Sequence, residues 1–207
     1  MEWYSTIWTV VESIGFLVVI IIFFLDPVRR WNFFGYRPTA VIGLFDPKSE
    51  KVLMVEVTEA GSQNDVWAFP QGGMYDDNIQ ITTRDVLQRE LGIDETRFKL
   101  LYTQPLGTLR IHDALIIKRS RISTISIFPS LRGKAYMACY VKIRLDEENL
   151  HIQNGEGVNQ VRAVSIEEAK KMQRSITGVE HNAAKQAMID KMLDEISLRM
   201  KQFRGKG

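Results

Sequence analysis

Cysteine is nearly absent from these 207 residues: Cys139 stands alone, which excludes an intrachain disulfide and any zinc site built from cysteines. Histidine is scarce as well. His112, His151 and His181 are too scattered for a histidine metal centre. Charge of one sign is also lacking, since 27 Lys and Arg face 25 Asp and Glu for a formal net charge of +2. Duplex nucleic acid is therefore not expected as a partner, and any basic site must be local. No internal repeat or low-complexity linker occurs. The signatures G-x-x-x-x-G-K-[ST], H-E-x-x-H, G-x-S-x-G and paired C-x-x-C are all missing. With 45% hydrophobic and 25% charged residues, the composition is that of a globular chain, neither disordered nor multi-spanning.

Apolar residues are concentrated at the start. Trp3 to Leu25 reads WYSTIWTVVESIGFLVVIIIFFL, with Glu12 as its single charge. A helix of that length rises about 34 Å, enough for a hydrocarbon core of about 30 Å. Trp3, Tyr4 and Trp8 lie at one end, and Trp31, Phe33 and Phe34 lie beyond the other, where amphipathic rings favour the headgroup level. Asp26-Pro27 ends the run, because proline disfavours helix in the residue before it. Three readings compete. A cleavable signal peptide wants a basic start and a small-residue cleavage site, and neither is present. A buried helix over Ser13 to Leu25 is the second reading, and a spanning anchor the third. For the anchor, Arg29, Arg30 and Arg37 after the span, against Glu2 before it, orient the chain with its N-terminus outside and the rest cytoplasmic, at an inner or plasma membrane. Glu12 either reaches up to the interface or faces other copies of the helix in a homo-oligomer, since an unpaired carboxylate in the apolar layer costs roughly 2.5–3.5 kcal/mol. The expected division is an anchor with its basic flank over 1–30 and a globular domain over 31–207.

Beyond the anchor, Pro38 to Phe45 and Lys51 to Thr58 are predicted strands, with Asp46-Pro47-Lys48-Ser49 as the turn between them. Ile81 to Leu91 carries Ile81, Val86, Leu87 and Leu91 at helical spacing, and Gly92 is its stop. Phe98 to Gln104, Lys134 to Leu145 and Val158 to Ser165 have strand character. Ile166 to Met172 and Glu180 to Phe203 are predicted helices, the latter with Ala184, Met188, Met192 and Ile196 on one face. The order of elements gives a mixed α/β domain.

Within it, Trp67 to Ile93, WAFPQGGMYDDNIQITTRDVLQRELGI, resembles the Nudix box and its leading strand. Val161 to Ala169 is similar to the late strand-to-helix passage of that superfamily. The resemblance implies an α/β/α sandwich around a mixed sheet, here preceded by one transmembrane helix, and ligands in which a nucleoside carries a diphosphate or more. It also implies a helix whose carboxylates hold Mg²⁺, which offsets phosphate charge and activates a water. Counted back from Gly92, the family's Arg-Glu pair falls on Asp85 and Val86, and its Glu-Glu pair on Arg89 and Glu90. A register using Arg84-Asp85 needs an extra residue in the helix. Only Glu90 remains as a vestigial catalytic carboxylate. Ile79 takes the place of the earlier Glu, and Asp76 and Asp77 are the candidates to compensate as metal ligands. A cation at Arg89 opposes a second one: at an effective dielectric of about 20, unit charges about 4 Å apart repel by about 4 kcal/mol. Hydrolysis is therefore doubtful. No cofactor is expected, and Mg²⁺ only if the site is hydrolytic.

The candidate ligand-binding residues are Trp67, Gln71, Gly72, Gly73 and Arg89, the basic stretch containing Arg110, Arg119, Arg121 and Arg132, and Tyr140 as an aromatic platform. The stretch from Arg110 to Lys134 has a local excess of five positive charges; as a solvated face it has no function, and as a basic rim it engages phosphates. Candidate membrane residues are Glu12, Arg29 and Arg30. Joined together, these features are similar to the membrane-Nudix effectors of bacterial cyclic-oligonucleotide antiphage signalling. That likeness implies a nucleotide or cyclic-oligonucleotide ligand, a lipid bilayer, homo-oligomerisation and membrane disruption. The alternatives are a membrane-tethered, Mg²⁺-dependent Nudix hydrolase of nucleoside diphosphate derivatives, a scaffold that recruits a protein, or an unrelated α/β domain in which FPQGG is only a turn.

Overall fold

The computed structural model describes residues 2–58, 65–74, 78–110, 133–145, 157–174 and 180–204; within these, the side chains at 2–6, 19, 22–24, 110, 174 and 180–182 are not described. The chain opens with helix α1 (Glu2–Leu25) and a short helix α2 (Pro27–Phe33). Strands β1 (Tyr36–Asp46), β2 (Lys51–Thr58), β3 (Asp65–Ala68) and β4 (Gln71–Gly73) follow, then helix α3 (Ile79–Leu91) and a single 3₁₀ turn. Strands β5 (Phe98–Arg110), β6 (Gly133–Ile143) and β7 (Gln160–Ser165), then helices α4 (Ile166–Arg174) and α5 (Glu180–Arg204), complete the fold.

The seven strands form one mixed sheet, ordered β3-β2-β1-β6-β5, with β4 on β1 and β7 on β2. Only the β1–β6 pair is parallel. Strand β6 takes one edge of β1 from Tyr36 to Phe45. The other edge is shared: β4 pairs Thr39 to Val41, and β2 pairs only Phe45 and Asp46. The sheet therefore splits along β1, and the glycines of β4 are seated in the split.

Alternation along each strand sorts the core into two halves. From β1, Ala40, Ile42 and Leu44 face one side with Val28 and Trp31 of α2 and Val86, Leu87 and Leu91 of α3. Val41 and Phe45 face the other, with Ala169 of α4 and Ile189, Met192, Leu193 and Ile196 of α5. Strand β6 repeats the pattern, Ala135, Met137 and Cys139 to the first side and Tyr136, Ala138 and Tyr140 to the second. The expected α/β/α sandwich is therefore present. Helix α3 starts on an Asn78 cap whose side chain accepts from Gln80 N and Ile81 N, and it stops where Gly92 takes φ 64°.

The N-terminal segment differs from expectation. Among the described residues no helix is long and apolar enough to cross a membrane, so the spanning segment is not found among them. Helix α1 is nonetheless one 24-residue helix, and its described apolar side chains are exposed, among them Trp8 (64%) and Phe16 (69%). Asp26 does more than end α1. Its Oδ1 accepts from Val28 N and Arg29 N to cap α2, and its carboxylate pairs with Arg29 at 3.3 Å. Trp31 was expected in a headgroup belt; it is 6% exposed and sits with Val28 in the core.

Candidate functional site

The site is built on β4. Ile42 N donates to Pro70 O at 2.8 Å and Met74 N to Pro38 O at 3.0 Å, which bracket the antiparallel pair Ala40–Gly72. Alternation then aims the N–H and C=O of Gly72 at β1, and those of Gln71 and Gly73 away from it. Gly72 and Gly73 face opposite sides of the sheet, and each lacks a side chain for a different reason. A Cβ on Gly72 would run into Cγ2 of Val86 on α3, and Nη2 of Arg89 would lie 3.6 Å from it. A Cβ on Gly73 would meet the guanidinium of Arg37, with Nη2 at 2.6 Å and Nε at 3.0 Å. The first glycine lets α3 close on the strand, and the second seats an arginine.

These contacts decide what the helix can do. Positions 86, 89 and 90, where the resemblance implies carboxylates, are occupied by Val86, Arg89 and Glu90, and the first two lie against Gly72. Val86 is buried in the core and offers no ligand atom. Arg89 Nη2 lies 3.4 Å from Glu90 Oε1, whose side chain is 12% exposed. The one carboxylate of the set is thus engaged by a neighbouring cation. Among the described residues no group of three or more His, Cys, Asp or Glu is placed to hold a metal ion. Among the described residues the donor set does not fit the divalent ion that the fold implies. Asp76 and Asp77 lie outside the described residues.

On the opposite face, between the sheet and α5, is a narrow crevice with a cavity volume of about 20 Å³, room for about one water molecule. Val41, Phe69, Leu106, Met188 and Met192 make it apolar, and Gln71, Tyr136 and Lys185 supply its polar groups. Burial pushes the Tyr136 phenol up to about 12, so it remains neutral through the physiological range. Lys134 stands beside Arg37 in the β1–β6 register, and Tyr136 stands beside Thr39. Two basic residues thus stand side by side on neighbouring strands, Arg37 lying over Gly73.

Other expected residues fall elsewhere. Tyr140, an aromatic platform by its sequence, is fully buried, stacked on Tyr102 at 4.4 Å between ring centroids, and so is not available for that role. Trp67 is half-buried on β3, with the guanidinium of Arg162 5.8 Å from its ring centroid and its carbonyl accepting from Gln173 Nε2. It belongs to the packing of α4, away from the glycines. Arg110 ends β5, and its side chain is not described; Arg119, Arg121 and Arg132 lie outside the described residues. Glu12 is exposed on α1, and Arg29 and Arg30 are exposed on α2. Sequence reasoning missed Arg37, which it counted as part of a basic flank. It missed Lys185 as a crevice residue too; the available signal was the apolar spacing of α5, which marks a buried face but not what that face encloses.

The chain is similar to an Ap4A hydrolase of C. elegans in a binary complex, with TM-score 0.51 and 12% identity over 79% of this chain and 98% of that one. It is similar to RenU, a Nudix hydrolase of M. smegmatis, with TM-score 0.51 and 14% identity over 79% and 89% of the two chains. At such identities the likeness shows the fold, and the fold is Nudix-like. No family model and no curated protein matches the sequence.

Proposed function

We propose that this Nudix-like domain binds a nucleotide derivative and does not hydrolyse it efficiently. The observation that carries the reading is the seating of Val86 and Arg89 against Gly72, at positions where the fold's hydrolytic chemistry calls for carboxylates. A hydrophobic side chain and a guanidinium there supply no carboxylate for a divalent ion, and Glu90, the carboxylate among the three, is paired to Arg89. Basic charge beside the glycines supports binding: Arg37 lies over Gly73, and Lys134 stands next to Arg37 on the adjoining strand.

The reading extends to α1. Its outward apolar side chains support engagement with a lipid bilayer, and the positive charges of Arg29 and Arg30 beside it support a cytoplasmic orientation of the domain. A ligand drives assembly of such chains only through higher affinity for the assembled state. The function proposed is a membrane-anchored effector of the cyclic-oligonucleotide antiphage type, in which ligand binding drives homo-oligomerisation and the anchors then disrupt the bilayer.

The test is titration calorimetry and sizing of the full chain in detergent. The panel comprises nucleoside diphosphates, ADP-ribose, Ap4A and cyclic di- and trinucleotides, assayed in parallel for phosphate release with Mg²⁺ or Mn²⁺. Saturable binding without release, and a larger species with the bound ligand, are expected. Release that disappears in Glu90→Gln would establish a tethered hydrolase instead.

A further inference from the structure

The pair Gly72–Gly73 is flanked by two guanidiniums, one on each face of β4. Arg89 Nη2 lies 3.6 Å from the Cβ position of Gly72, and Arg37 lies across Gly73 with Nη2, Nε and Cζ all within 3.2 Å of the Cβ position. Between them, the N–H of Gly73 points away from β1, toward the outer edge of a strand that pairs only with β1 among the described residues. Arg89 is steadied by Glu90, itself mostly buried, and the Arg37 guanidinium lies against the backbone of Gly73.

We infer that this chain recognises phosphate with its own fixed arginine charge in place of a divalent cation: a diphosphate at the outer edge of β4 meets Arg37 from one face, Arg89 from the other, and the Gly73 N–H between them. The inference rests on the nucleotide-binding reading and specifies its chemistry. A divalent ion neutralises phosphate from a carboxylate cage, but here the cage positions hold Val86 and Arg89. A guanidinium supplies the same sign of charge, adds directed N–H donors that match phosphate oxygens in pairs, and does not deprotonate in the accessible pH range. It brings no metal-activated water. Binding separated from hydrolysis follows from this one replacement.

The experiment is calorimetric titration of the full chain in detergent with ADP and with inorganic pyrophosphate, in excess EDTA and again in excess Mg²⁺. Equal affinity under the two conditions is expected. Arg37→Gln and Arg89→Gln should each weaken ADP binding by about tenfold or more, as loss of a hydrogen bond to a charged group does. Arg37→Lys, which keeps the charge and loses the fork, should fall between the two. Arg89→Glu places two carboxylates side by side and should make the remaining affinity depend on Mg²⁺. Thermal melts of each variant check that the fold is retained. Binding that requires Mg²⁺ in the unmodified chain, or that is unchanged in both Gln variants, overturns the inference and leaves nucleotide binding standing. Absence of binding by either probe under both conditions overturns the inference as well, while the nucleotide-binding reading stands or falls on the cyclic di- and trinucleotides of the wider panel.

Discussion

Arg37 lies flat over Gly73, its Nη2 2.6 Å from where a side chain would begin. The obstruction is the far end of a flexible side chain, so Gly73→Ala should displace the guanidinium without breaking the sheet. Stability is expected to change by no more than about 0.5 kcal/mol, as at an ordinary surface site, while ADP affinity falls with the loss of a seated charge. Urea unfolding and calorimetry on one preparation check the pair of outcomes. A large loss of stability would mean that the arginine has nowhere else to go.

Gly72→Ala should behave in the opposite way. The obstruction there is Cγ2 of Val86, a core side chain that is 3% exposed on a helix closed against the strand. Overpacking of this kind costs about 1–3 kcal/mol. Val86→Ala removes the opposing methyls, so the double variant should be more stable than the sum of the two single changes predicts. Denaturant midpoints of the four proteins give the coupling directly; additive effects would show that α3 does not bear on Gly72.

These neighbouring glycines mark the limit of what the sequence discloses. Strand β2 was legible from Lys51 to Thr58 because β-branched and apolar residues fill it between turn residues, and the end of α3 was legible because glycine follows the last apolar position. The one-carboxylate helix face could be read by counting back from Gly92. Arg37 could not be read in this way. Its place over Gly73 depends on Thr39 pairing with Gly73, a register set by the turns and strands between them rather than by any local pattern. Tyr140 misled for a related reason: an aromatic on a strand looks alike whether its face is open or covered, and the ring that covers it, Tyr102, comes from the neighbouring strand. Trp31 misled because a proline-started turn of helix after an apolar run resembles an interfacial flank until Val28 and Trp31 are seen packed together in the core.

Asp46 gives the fold an acid sensitivity. Its carboxylate is almost fully buried, which works against ionisation, but it accepts from Lys48 N, Ser49 Oγ and Leu145 N, which outweigh burial and hold its pKa below the usual carboxylate value. A lowered folded pKa means that the stabilisation is present above the unfolded value of about 3.9 and is lost as pH falls through the folded one. Melting temperature should therefore drop below about pH 4. In Asp46→Asn the slope should be shallower, because one titrating acceptor is gone. An unchanged slope would assign the acid limb to other carboxylates.

The wall of the crevice is held by a contact at its far end. Tyr102 on β5 donates its hydroxyl to Glu195 Oε1 of α5 at 2.5 Å, and Arg199 Nε donates to the same oxygen at 2.9 Å while its guanidinium stacks on the Tyr102 ring at 4.3 Å. Burial, followed by the bond to Glu195, pushes the phenol up to about 12, and the Tyr102 hydroxyl together with Arg199 holds Glu195 below its ordinary value. Tyr102→Phe removes a bond to a charged acceptor in a partly exposed place, so the cost should be near about 1.5 kcal/mol, the low end for such bonds. The same helix carries Lys185, Met188, Ile189 and Met192 over the crevice. Loosening its tether should therefore speed hydrogen exchange in α5 while leaving α3 unchanged. Equal acceleration in both helices would mean that the sandwich opens as one unit and that the two faces of the sheet are not independently held.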